Sequence, residues 1–125
     1  METQRPEGFE NECRDCTVIA LSLASNLPYL QVHSAWKEVG RKDGHKIKSR
    51  KFLQRVCKIL NVTAKQVKRH GSLRGFINKF PQGNYYCTER GHAFAVIEGV
   101  SHGEDNLNNH IKGAWLITKQ MEVLK

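Results

Sequence analysis

Asp15-Cys16-Thr17, followed by VIALSLAS from Val18 to Ser25, is the stretch that decides how the rest of the chain is read. It is apolar at almost every position and stops at Asn26-Leu27-Pro28, where a proline ends helical propagation. A helix apolar nearly all round is a buried one, and Asp15 is a residue type that caps helix N-termini. Cys16 is therefore expected in the first turn of a helix running through the core.

Working outward, Tyr29 to Val39 carries apolar residues at 29, 32, 35, 36 and 39, a helical stripe that Gly40 terminates. After the turn-rich RKDGHK, Ser49 opens a third helix whose inner side is Phe52, Leu53, Val56, Cys57, Ile59 and Leu60. Val62 to Val67 reads as one further helical turn, and Ser72 to Phe80 as a short helix stopped by Pro81-Gln82-Gly83. Beyond Gly83 the period changes. Asn84 to Thr88 and His92 to Val100 have the β-branched and aromatic character of strands, joined at hairpin length by Glu89-Arg90-Gly91. A loop from Ser101 to Lys112 leads to a last strand, Gly113 to Lys119. Helices first and a small C-terminal antiparallel sheet last predict an α+β fold.

The 125 residues make one domain, 1–125, with an irregular segment over 1–12. No apolar run is long enough to span a bilayer, and the acidic start METQRPEGFENE has no apolar signal core. The expected setting is cytoplasmic, where the four cysteines are thiols, ligands or catalytic groups rather than disulfides. The net charge of +8 is uneven: Arg41 to His70 holds eleven Lys or Arg against one acid, Asp43. Arg41, Lys42, Lys46, Lys48, Arg50, Lys51, Arg55 and Lys58 form a basic face that either keeps the protein soluble or attracts nucleic acid or an acidic protein. Phe52 is the only ring in that stretch, so the stacking residues of single-strand binders are missing.

A cysteine nucleophile needs its thiolate, and a helix N-terminus stabilises both that anion and a later oxyanion. Cys16 has this position. An imidazole must then take the proton and return it to a leaving group. His92, which follows Gly91 and opens a strand with small Ala93 and Ala95 on one face, can meet the helix end. Cys13 and Cys16 also form a C-x-x-C pair, but no core strand precedes it as in a dithiol redox site, and no second close pair completes a zinc site. Cys57 reads as core, and Cys87 as core or near the site. No metal or cofactor is expected.

Three segments, DCTVIALSLA (Asp15 to Ala24), LQVHSAWKEVGRKDG (Leu30 to Gly44) and PQGNYYCTERGHAFAVIEGV (Pro81 to Val100), resemble the small papain-like cysteine peptidase domains encoded by bacteriophages. The likeness runs from Asn11 to Ile117. It implies a papain-like fold and a Cys–His–Asp/Asn triad acting on a peptide or protein through a thioester, in the host cytoplasm for a phage protein. The third member should lie in the loop after the histidine strand. Asp105 is the first candidate and Asn106 the alternate, with His102, Asn108 and Asn109 in the same loop. Papain-like enzymes carry a Gln shortly before the cysteine to complete the oxyanion hole. Here Glu10 and Asn11 stand there, and Asn11 has the amide that can donate.

Overall fold

Strand alternation sends Tyr86, Ala93, Ala95, Trp115 and Ile117 to one face of a sheet and Tyr85, Cys87, Phe94, Val96 and Ala114 to the other. Both sets are buried, so the sheet must be covered on both sides. The computed structural model describes residues 14–68 and 71–119. Among them are four helices, α1 (Cys16–Ser25), α2 (Tyr29–Glu38), α3 (Ser49–Leu60) and α4 (Leu73–Lys79). Five strands accompany them: β1 (Val62–Val67), β2 (Asn84–Glu89), β3 (His92–Ile97), β4 (Val100–His102) and β5 (Gly113–Lys119). The fold is α+β. The sheet is antiparallel throughout, in the order β1-β5-β2-β3-β4. No described helix is long and apolar enough to cross a membrane.

Helices α1, α2 and α3 cover one face and α4 the other. The buried run of α1 lies directly on β3, where Ala20 and Ala24 share a core with Ala93 and Ala95 and admit close approach. This contact fixes where the start of α1 falls, at the end of the sheet where β2 turns into β3. Left-handed Asn26 and Asn61 end α1 and α3, as a C-cap requires. On the far side, Ser72 accepts from the Gly75 N–H to cap α4. Ser72→Ala is expected to cost about 1 kcal/mol in urea unfolding at unchanged m-value.

Several expectations need correction. Val62 to Val67 is not a helical turn but strand β1, paired from Val62↔Lys119 to Val67↔Ala114. Its alternation, with Val62 and Ala64 buried and Thr63 and Lys65 exposed, serves a sheet face. The sheet is therefore not wholly C-terminal. The strand expected over 92–100 breaks at a tight turn, with Glu98 at φ +48° and Gly99 at +80°, after which β4 runs from Val100 into the anticipated loop. Asp15 occupies the N-cap of α1 without capping it through its side chain. Its carbonyl accepts from Val18 and Ile19, while its buried carboxylate accepts from the Tyr29 hydroxyl at 2.7 Å. Arg41 does not belong to the basic face: it is 2% exposed and reaches the Arg14 carbonyl at 3.4 Å.

Candidate active site

Because α1 is held by its apolar length, its first residue is placed by packing rather than by a loop. Cys16 lies half-buried at that end, beside the first residues of β3. His92 hydrogen-bonds the thiol, and the Ala93 N–H also points at the sulfur. Burial alone pushes the Cys16 thiol up. The bonds from His92 and Ala93, with the charges of His92 and Lys46, outweigh it and hold the thiol below its ordinary value. In return the bond to Cys16 raises His92 to about 9 against the opposing effect of burial, helped by the Gly103 carbonyl and the charges of Cys16 and Glu89. The two opposite shifts in one hydrogen-bonded pair both favour thiolate beside imidazolium.

The other side of the imidazole is fixed by backbone. Nε2 meets the Gly103 carbonyl at 2.7 Å, which leaves Nδ1 for the sulfur. Gly103 has φ +103°, and a Cβ there would sit 3.3 Å from the Phe94 Cβ, so this close approach depends on glycine. His92 also stacks on Phe94, ring centroids 6.2 Å apart. A carbonyl acceptor thus performs the orienting task that the sequence assigned to Asp105. Asp105 is exposed and lines a separate hollow with Arg74 and Ile77 beside α4. Asn106 is exposed too, and its amide donates to Asn109 at 2.9 Å rather than to His92. Asn11 and Cys13 lie outside the described residues.

Carboxyl charge reaches His92 from residues the motif search passed over. Glu89 faces His92 across the β2–β3 pairing. Burial and a hydrogen bond shared with Glu104 push Glu89 up to about 7, opposed by His92. Glu104, which accepts that bond and the Asn106 N–H, is held below the usual carboxylate range. The Asn109 amide touches both carboxyls, at 3.5 and 3.0 Å. The two carboxyls thus divide, Glu104 favouring its ionised form and Glu89 keeping its proton to higher pH. Glu89→Gln removes a charge that favours imidazolium, so His92 should titrate below its value of about 9, read by NMR of the ring.

No family model, curated protein or solved structure matches the chain.

Cys16 and His92 open into a cleft of ≈ 460 Å³ between the residues leading into α3 and the β2–β3 turn. Lys46 crosses its mouth and donates to the Gly91 carbonyl at 2.7 Å. Of the first-turn amides of α1, Val18 and Ile19 bond the Asp15 carbonyl, while the Cys16 and Thr17 N–H groups have no partner among the described residues. Unpartnered N–H groups at a helix start favour an anion beside them. Cys57 and Cys87 take no part. They are buried on opposite faces of the sheet, and burial raises both, Cys57 to about 12. His33 is a buried packing residue, stacked on Tyr29 and 3.3 Å from the Asp43 carboxylate. The remaining members of the basic face, Lys42, Lys46, Lys48, Arg50, Lys51, Arg55 and Lys58, are exposed.

Proposed function

We propose that the chain is a cysteine-dependent acyl hydrolase or transferase of papain-like type, acting on an amide or ester carbonyl. The observation that carries this reading is the hydrogen-bonded Cys16–His92 pair at the start of a buried helix, open to a cleft. The Cys16 thiolate attacks the carbonyl carbon, and the oxygen takes up the electron pair beside the Cys16 and Thr17 N–H groups. Collapse of this intermediate expels the amine or alcohol, which leaves with the proton from His92, and a thioester remains on Cys16. Neutral His92 then takes a proton from water, whose oxygen attacks the thioester and releases the carboxylic acid. The sulfur departs as thiolate beside the imidazolium formed in that step, which restores the pair. A peptide or protein substrate is the reading that the resemblance favours.

The test is acylation by p-nitrophenyl acetate, followed by mass spectrometry of the quenched protein. An acetyl adduct on Cys16, absent from Cys16→Ser and slow to form in His92→Ala, is the expected result. A protein whose only adducts are scattered on lysines contradicts the proposal.

A second reading, a scaffold that binds a polyanion without chemistry, has support from the exposed cations of α3. It predicts salt-sensitive binding that survives Cys16→Ala.

A further inference from the structure

The basic face and the nucleophile meet in one cleft. Lys46, Lys48, Arg50, Lys51 and Lys112 line it together with Cys16 and His92, and Glu89 is its only carboxyl among the described residues. Lys48, Ser49, Arg50 and Lys51 are also the start of α3, whose positive dipole end therefore enters the cleft. Helix starts favour acidic residues and a capping side chain. This one has no acid in its first turn and no side-chain cap, and it carries three cations instead. Lys51 rests over the Phe52 ring, 5.5 Å from its centroid. Lys48 and Arg50 have no acidic partner among the described residues. Like charges at a positive helix end repel one another until an anion joins them.

Two buried hydroxyls border the same place. Thr17 and Thr88 line the cleft at 4% and 5% exposure, and neither hydroxyl has a hydrogen-bond partner among the described residues. Such hydroxyls are costly unless a polar group reaches them.

We propose that this cleft selects acyl substrates with an acidic side chain close to the reacting carbonyl, bound by Lys48, Arg50 and the start of α3. This rests on the nucleophile reading above and adds the substrate class. The anion is assigned to a peptide rather than to nucleic acid on two grounds. Five cations share the cleft with the nucleophile, and the Phe52 ring beside them is half-buried against the core.

Two alkylating reagents of near-equal size, iodoacetate and iodoacetamide, differ in charge and probe the cleft directly. The reading is the ratio of their rates at Cys16 within each protein, by mass spectrometry, for wild type and K48Q/R50Q. At low salt the ratio should fall about five- to tenfold in the double variant, as expected for two partly screened charges. The two proteins should converge near about 0.5 M salt, and K48E/R50E should lower the ratio further. Equal ratios in wild type and K48Q/R50Q at low salt overturn the proposal. Measured in alkaline buffer, where an accessible thiol is ionised without help, the ratio tests the anion site even if the Cys16–His92 ion pair fails. A glutamate-rich peptide and a single-stranded oligonucleotide of equal charge then compete against iodoacetamide. Protection of Cys16 by the peptide is expected; protection by the oligonucleotide alone, or by neither, overturns the peptide assignment.

Discussion

His92→Ala is expected to slow iodoacetamide alkylation of Cys16 at pH 6 by about two orders of magnitude. The sign follows from what remains when the ring is gone. Burial raises the thiol, and the hydrogen bond and charge of His92 are the main opposition to it. Without them the Ala93 N–H and Lys46 act alone, and the sulfur spends nearly all its time protonated at this pH. In the wild type the reactive pair exists from the lowered titration of Cys16 up to about 9, where His92 loses its proton. The defect should therefore be largest on the acid side and shrink as pH rises, because hydroxide then ionises the thiol in both proteins. A pH-independent loss would instead mean that the variant had disturbed the helix end itself.

Trp36→Ala is expected to destabilise the fold by roughly 3–5 kcal/mol, the range for deleting a large aromatic from a packed core. Trp36 is fully buried on α2 and belongs to the cluster that joins α1, α2 and α3 to the sheet. For a chain of this size the loss corresponds to a fall in Tm of roughly 10–20 °C, seen by calorimetry. Trp36→Phe should lose less, since it keeps most of the apolar volume and removes an indole N–H that has no partner among the described residues. Cys16 depends on the same cluster. Any variant that loosens α1 should thus lose nucleophile reactivity before it unfolds.

The parts of the site visible in the sequence are those carried by side chains on strongly patterned elements. Cys16 was legible because the ten residues of α1 are apolar nearly all round, which fixes both helix and burial. His92 was legible because small Ala93 and Ala95 follow it on a strand facing that helix. What escaped has no local signature. The acceptor for His92 is the carbonyl of Gly103, and a backbone oxygen carries no residue identity. Glu89 ends β2 and Glu104 lies in a loop, and the β2–β3 hairpin and Asn109 bring them together. Strand β1 is short, rich in residues that also suit helices, and becomes a strand through pairing with β5 about fifty residues later. Arg41 was hidden in a run of like charges, where composition cannot separate one buried guanidinium from its solvated neighbours. Asp15 was read from its local cap preference, whereas its carboxylate is claimed by Tyr29 from the next helix.

The central claim is that Cys16 exists as a thiolate paired with imidazolium. It is tested most directly by the pH–rate profile of iodoacetamide alkylation in the native protein, followed cysteine by cysteine. Cys57 and Cys87 serve as internal references, since burial raises both. The account predicts that Cys16 reacts well below pH 7 and reaches a plateau before the references react at all. If Cys16 reactivity rises only near its ordinary value of 9.0, the ion pair does not exist and the nucleophile assignment fails with it.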